Sequence, residues 1–358
     1  MAPRHRSWHR CAWVPIRPHE PDEMTAMRQH RAAIIGAGLM GRWHADAVRR
    51  IGGTVTLIVD PNESARRALG ERHPGAVLAT ELDASLVAQR ATVAHVCAPG
   101  STHVPIVNAL IDAGVHALVE KPFTTDGDST RSVLARAEQR SVVVCPVHQF
   151  VFQEGIRSLT EWIPGLGSVR RLEFSTCSAG ARDDPASQDA LIAEILPHPL
   201  SLVALLLRTR VAGIAWQVAH PAPGEFHALG SVGPTIVDLA ISAHGRPTEN
   251  TLRIVADAGM ASADLFHGFA VRHAPSVSRA AKITRPFSHA AKYLSVATLN
   301  LARRAARSES AYPGLRELVR VFYAAVDAAG PTPFARDAIT DVADARDALL
   351  ARMTPRGS

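Results

Sequence analysis

Arg31-Ala-Ala-Ile-Ile35-Gly36-Ala37-Gly38-Leu39-Met40-Gly41-Arg-Trp-His44 decides how the first half of the chain is read. Ala32 to Ile35 is a short, wholly apolar run, the pattern of a parallel strand buried on both faces. It breaks into a glycine-rich turn, and apolar residues return at Ala45, Val48 and Ile51 with helical spacing. In a strand–turn–helix unit each glycine has its own task. Gly36 permits the tight turn, Gly38 lets the backbone approach a pyrophosphate, and Gly41 lets the helix lie close on the strand. Leu39 and Met40 open the helix, whose first N–H groups and dipole favour an anion. A second apolar run, Val55 to Val59, ends at Asp60, where a carboxylate can accept from a ribose 2′-hydroxyl. That acid repels a 2′-phosphate, so the expected cofactor is NAD. NADP would need Arg66 or Arg67, one turn further on.

The totals bound the rest. A chain of 358 residues and 38.3 kDa suggests two domains. With 47% hydrophobic and 20% charged residues it reads as an ordinary globular protein with sizeable cores. The net charge of +6 comes from Arg and Lys spread along the chain without a helix-turn-helix or zinc-finger signature, so nucleic acid is not an expected partner. Cys11, Cys97, Cys145 and Cys177 show neither paired nor metal-ligand spacing; no metal is expected, and the usage suits a reducing, cytoplasmic setting. The apolar run Leu202 to Leu207 is too short for a bilayer, so no transmembrane segment is expected. Residues 1–29 mix Arg, His, Trp and Pro without period and lack an apolar signal-peptide core. They read as a disordered basic extension, or as the product of a start codon upstream of Met24 or Met27.

From residue 30 to 148, strand and helix alternate. Val93 to Cys97 reads as a strand ending at Ala98-Pro99-Gly100, with Ser101 or Thr102 capping the next helix. Val115 to Val119 runs directly into Glu120-Lys121-Pro122, a helix follows over Thr125 to Gln139, and Ser141 to Cys145 closes the series. Such repeats predict a doubly wound parallel sheet whose ligands sit at the strands' carboxyl ends. Residues 149–358 change texture. A helix near Gln153 to Ile163, a strand over Ser168 to Ser175 and one long helix over Gln188 to Leu207 come first. Strand-like runs follow at Val211 to Val218, Glu225 to Leu229, Thr235 to Ser242 and Thr251 to Ala256, with few helices between them. They predict an α/β domain on a mostly antiparallel sheet. Its open face would dock another subunit, so a homo-oligomer is expected. Pro313 to Ala325 and Thr340 to Met353 read as closing helices that can pack back on the first domain.

Glycine turn, acid-ended second strand, Ala98-Pro99 with His103 close behind, and Glu120-Lys121-Pro122 at the end of a strand resemble the Gfo/Idh/MocA oxidoreductases over roughly residues 31–350. The resemblance implies a Rossmann domain followed by an α/β domain with a large open sheet. It implies oxidation or reduction of a carbinol or carbonyl on a sugar, cyclitol or related compound with NAD or NADP. Lys121 would then lie beside nicotinamide and substrate, Glu120 would orient it, and Pro122 would sit at a cis or strained bend. Independently of any family, hydride transfer from a carbinol needs a base for the hydroxyl proton and a donor for the developing alkoxide. In the family an acid stands four residues before a histidine on one helix; the matching positions are Glu194 and His198, with Ser201 where a later Asp commonly stands. His198 is therefore the expected base and Glu194 its expected partner, while His148 and Gln149 are expected to face substrate. Two other readings remain open: a non-catalytic dinucleotide-binding regulator, and a redox-assisted lyase or glycosidase that retains its NAD.

One segment stands apart. Arg272 to Arg307 carries Arg279, Lys282, Arg285, Lys292, Arg303 and Arg304 without an acid. It reads as an amphipathic helix packed on the sheet, or as a contact for a lipid-linked substrate or anionic membrane surface.

Overall fold

A computed structural model describes residues 29–178, 184–273, 275, 278–307, 309 and 311–353. The reading of the N-terminal extension falls on residues 1–28 and lies outside them.

Six parallel strands form the first sheet: β1 (Arg31–Ile35), β2 (Thr54–Val59), β3 (Val77–Ala79), β4 (Val93–Val96), β5 (His116–Val119) and β6 (Val144–Pro146). Their order, β3-β2-β1-β4-β5-β6, reverses beside β1, and this is the switch point where doubly wound sheets bind ligands. Between them run α1 (Leu39–Arg50), α2 (Glu63–Gly70), α3 (Ala84–Arg90), α4 (His103–Asp112) and α5 (Gly127–Gln139). Ile34, Val93, Ala94, Val96, Leu118 and Val119 are buried, as runs covered on both faces must be. The cap expected on α4 is not made. The Thr102 hydroxyl instead donates back to the Pro99 carbonyl at 2.7 Å.

The second sheet is built from β7 (Val169–Cys177), β8 (Gln217–Ala222), β9 (Glu225–Val232), β10 (Thr235–Ser242), β11 (Glu249–Ala256), β12 (Gly259–Asp264) and β13 (Phe269–His273). Their order is β13-β12-β11-β7-β10-β9-β8, and only β7 and β10 pair in parallel. The sheet is mostly antiparallel, as the pattern predicts. Val237, Leu239 and Ile241 of β10 point into the core while Ile236 is exposed, so one face of the strand remains open. The helices are α6 (Glu154–Trp162), α7 (Pro185–Ile195), α8 (Pro197–Leu207), α9 (Arg279–Ala306), α10 (Leu315–Asp327) and α11 (Arg336–Leu350). α10 packs on α1, and α11 packs on both α5 and α8, so the chain's end returns to the parallel sheet.

Three local readings need correction. The helix expected over Gln188 to Leu207 is two helices, because Pro197 has no N–H to continue the ladder. Together Pro185–Leu207 is long and apolar enough to cross a membrane, yet 67% of its most apolar stretch is buried in the protein. The strand expected at Val211 to Val218 begins only at Gln217. The Val211 and Ala212 N–H groups go instead to the buried Asp341 carboxylate of α11, at 2.6 and 3.2 Å. β12 and β13 were not anticipated. Gly259-Met-Ala-Ser-Ala-Asp264 is poor in β-branched residues, and pairing with β11 supplies what propensity does not.

Candidate active site

The glycine turn has the geometry its three glycines require. Gly36 sits at φ +98°, and a Cβ there would meet the Cys97 carbonyl carbon at 2.6 Å. At Gly41 a Cβ would lie 1.9 Å from the Gly36 carbonyl oxygen, so the helix could not rest on the turn. Gly38 differs: its backbone is ordinary, and a Cβ would meet nothing within 4 Å. The space above it is open, on the side where α1 begins without a side-chain cap. Such a helix start leaves unpaired N–H groups facing open space, a cradle for phosphate. Leu39, 54% exposed, stands at its edge.

Asp60 closes the far side of the turn. Its Oδ2 accepts from Ala37 N at 2.6 Å and its Oδ1 from Asn62 N at 2.7 Å. Each oxygen keeps a lone pair for a ribose hydroxyl. Arg66 donates to the Asp60 carbonyl, and Arg67 pairs with Glu63 at 2.8 Å, so both arginines already have partners.

Ala98 and Pro99 follow β4, and His103 locks this loop to the next. Fully buried, the His103 ring approaches the Ala98 carbonyl through Nε2 and the Pro122 carbonyl through Nδ1, both at 2.9 Å. His103 holds the loops that carry Ala98 and Lys121, and its own ring is committed to backbone.

At the end of β5, Lys121–Pro122 is a cis peptide. Glu120 is buried and heads a chain of hydrogen bonds running through the domain. Its Oε1 lies 3.0 Å from His44 Nε2, His44 Nδ1 lies 2.8 Å from His95 Nδ1, and His95 Nε2 lies 2.9 Å from the Tyr323 hydroxyl. With both rings neutral, one assignment satisfies every link. Tyr323 donates to His95, His95 donates to His44, and His44 donates to an ionised Glu120. The acidities agree. Burial works against the Glu120 carboxylate, but the His44 hydrogen bond, with the Lys121 charge and backbone N–H, lowers the pKa; burial also keeps His95 neutral and the Tyr323 phenol protonated. Glu120 Oε2 then accepts from the Lys121 backbone N–H at 3.0 Å and fixes where the lysine starts. His95 was detectable as a lone polar residue in an apolar strand, which must find a partner. Tyr323, 228 residues away, was not. Tyr323→Phe leaves the buried His95 Nε2 unpaired and is expected to cost about 1–3 kcal/mol in a urea melt. An unchanged midpoint would contradict this chain.

Lys121, 22% exposed, points its Nζ to Glu194 Oε2 at 3.4 Å. Glu194 therefore does not orient His198, as its spacing had suggested. The break at Pro197 places the two on different helices and turns the carboxylate toward Lys121. The His198 ring is held by stacking on Phe150, with centroids 4.3 Å apart and planes 21° apart. Phe150 is a contributor that spacing alone did not single out. Ser201 donates back to the His198 carbonyl at 2.8 Å, so it stands in for no acid. His198 Nδ1 is sealed without a hydrogen-bond partner, leaving Nε2 as the nitrogen able to meet a substrate hydroxyl. Burial, then Lys121 and His148, push the His198 pKa well below 6.5. His148, also buried, is pushed down to about 4 by burial, against the pull of Glu120. Gln149 beside it is buried with Oε1 unpartnered. A separate cavity of about 200 Å³, lined by Cys177, Glu225 and His227 among others, contains none of these groups. Among the described residues no His, Cys, Asp and Glu cluster could hold a metal.

Residues 30–148 match the profile of an oxidoreductase family described by its NAD-binding Rossmann fold. The family of that profile is Gfo/Idh/MocA. Inositol 2-dehydrogenase of Corynebacterium glutamicum is 24% identical over 224 residues, which is 59% of this chain and 63% of that protein. UDP-N-acetylglucosamine 3-dehydrogenase of Acidithiobacillus ferrooxidans is 28% identical over 66% of this chain and 74% of its own. The match to the inositol enzyme thus spans less than two thirds of its length. In three dimensions, the WlbA dehydrogenase of Bordetella pertussis, solved with NADH and UDP-GlcNAcA, superposes with a TM-score of 0.69 at 14% identity. The superposition covers 91% of this chain and 95% of that one. It shows that the fold shared with that dehydrogenase extends through both sheets.

Proposed function

We propose that this Gfo/Idh/MocA protein is a cytoplasmic NAD-dependent oxidoreductase, active as a homo-oligomer on a carbinol or ketone of a sugar-like, cyclitol or related small molecule. The observation that carries the reading is a convergence. Lys121, His148 and His198 stand together where β5 and β6 end and α8 begins, on the same rim as the glycine turn. The dehydrogenases it is similar to act on inositol and on UDP-N-acetylglucosamine, which supports the substrate class.

The residues fit a dinucleotide. Gly36 to Gly41, with Leu39 and Met40 N–H groups, would take the pyrophosphate, Asp60 the ribose, and Ala98, Pro99 and Glu120-Lys121 the nicotinamide end. When bound, nicotinamide supplies the hydride acceptor or donor. The chain supplies the rest. His198 Nε2, neutral because it is buried beside Lys121, takes the hydroxyl proton in oxidation and returns it in reduction. The Lys121 ammonium faces the oxygen on which charge develops and stabilises it as an alkoxide. Glu194 competes for that ammonium until substrate displaces it, and Gln149 offers its unpaired amide to a substrate hydroxyl.

A fluorescence titration with NADH and NADPH in parallel tests the foundation. NADH is expected to bind at least about tenfold more tightly, since the Asp60 carboxylate repels a 2′-phosphate and Arg66 and Arg67 are already engaged. Binding of neither nucleotide defeats the reading. Steady turnover of free NAD separates it from a lyase that recycles bound cofactor and from a regulator that turns nothing over.

A further inference from the structure

α9 is 28 residues long, about 42 Å, yet it buries none of them. Its four most exposed large apolar side chains are Ile283 at 74%, Phe287 at 76%, Leu294 at 68% and Leu301 at 67%; Leu299, at 51%, lies on the other side of the helix. At 3.6 residues per turn these four fall within about 40° of one another, in a single stripe. Ala290 and Ala297 lie in the same stripe, completing an alternating spacing of three and four residues from 283 to 301. That spacing is the seam along which one helix receives another.

The helix meets its own protein on a different face. Tyr293 packs on Phe269, His289 on His273, Lys292 donates to the Arg272 carbonyl and Asn300 to the His267 carbonyl. Lys282, Arg285, Lys292 and Arg303 lie within about 60° of that inward face, and Arg304 turns back onto the Glu309 and His267 carbonyls. The stripe's other flank is Thr284, Ser288, Ala291, Ser295 and Thr298, small and uncharged. A helix lying on an anionic membrane carries its cations on the face away from the apolar stripe and open to the lipid headgroups. Here the cations of that face are exposed, but Lys292 is engaged by the Arg272 carbonyl and Arg304 by the Glu309 and His267 carbonyls.

We infer that the partner of this stripe is α9 of a second copy, running antiparallel about a two-fold axis. One register makes the seam fit itself. Phe287 sits over Ala297 of the other helix, Leu294 over Ala290, and Leu301 over Ile283. The two-fold repeats each pair, so a large side chain faces a small one in all four central layers. Those layers lie after Pro286, clear of the interruption it makes in the helix. Alanine at alternate positions lets the axes approach to about 8 Å. Lys282, Arg285, Lys292 and Arg303 of both copies stay on outer faces; Arg279, about 40° from the stripe's centre, comes near Arg304 of the other copy only at the two ends of the seam.

Sedimentation velocity of the full chain tests this through compensation. Leu294→Ala creates a gap over Ala290 and is expected to raise the dissociation constant of this interface at least tenfold; Ala290→Leu added to it moves the large residue across the seam and restores assembly. Leu294→Glu is expected to halve the sedimenting mass. Both positions are exposed, so circular dichroism melts and NADH affinity should match the wild type. A monomeric wild type at micromolar concentration, a mass unchanged in Leu294→Glu, or no rescue by Ala290→Leu overturns the antiparallel pairing. So does wild-type co-sedimentation with phosphatidylserine vesicles that Leu294→Glu abolishes, since the stripe would then belong to lipid.

Discussion

Lys121→Met is expected to lower kcat/KM by about 10²–10³-fold while the NADH dissociation constant stays within about threefold. The argument rests on what the side chain does and does not touch. Among the described residues its ammonium forms an ion pair with the half-exposed Glu194 at 3.4 Å, and an exposed pair of that kind adds about 0–1 kcal/mol to folding. Methionine keeps most of the apolar stem, so the melting temperature should scarcely move. What methionine cannot do is present a positive charge to an oxygen that becomes an alkoxide. If the loss appears in kcat with KM little changed, the ammonium acts on the transition state, as the mechanism requires. Stopped-flow measurement of NADH formation with a polyol or keto-sugar substrate reads both quantities. Activity near wild type would remove Lys121 from the chemistry and leave Glu120-Lys121-Pro122 as a structural bend.

The place of Lys121 at the end of β5 was legible in the sequence because its signal is local. Glu-Lys-Pro terminates an apolar run, and the topology that delivers such an end to the ligand rim follows from strand–helix repetition alone. Gly36, Gly38, Gly41 and Asp60 share that property, since each is defined by its neighbours in the chain. Glu194 shows where local reasoning fails. Four residues before a histidine means one helix face only if the helix is continuous, and Pro197 decides otherwise. The hydrogen-bond chain behind Glu120 is equally hidden, for it joins α1, β4 and α10, and no spacing connects His44 with Tyr323. β12 was missed because its residues have little strand preference of their own. The sheet imposes the strand on them. His103 was found by position, but its hold on the Ala98 and Pro122 carbonyls was hidden, because it joins two loops that no spacing connects.

His198→Ala is expected to reduce kcat in the oxidative direction by at least about a hundredfold, again with NADH affinity retained. A base must be neutral to accept a proton. Burial first, then Lys121 and His148, move the His198 pKa well below 6.5, so the ring is ready at neutral pH. The acid limb of the wild-type kcat/KM profile should accordingly fall below pH 6.5, and His198→Ala should flatten it. The same environment has a cost in stability. An unfolded His198 takes up a proton below about pH 6.5 that the folded ring refuses, and His95 and His148 behave alike. Folding is thus fully stable above that pH and weakens as the pH drops through it. The alanine variant should lose less stability between pH 7 and 5 than the wild type does. The stability readout checks the lowered pKa, and the rate profile separates a base from a residue that merely fills space under Phe150. A filler would show the same pH-dependent stability and leave the rate profile's acid limb where it stood. If the limb persists in His198→Ala, the proton goes to another group, and His148, buried beside Phe334 and pushed down to about 4, becomes the residue to replace next.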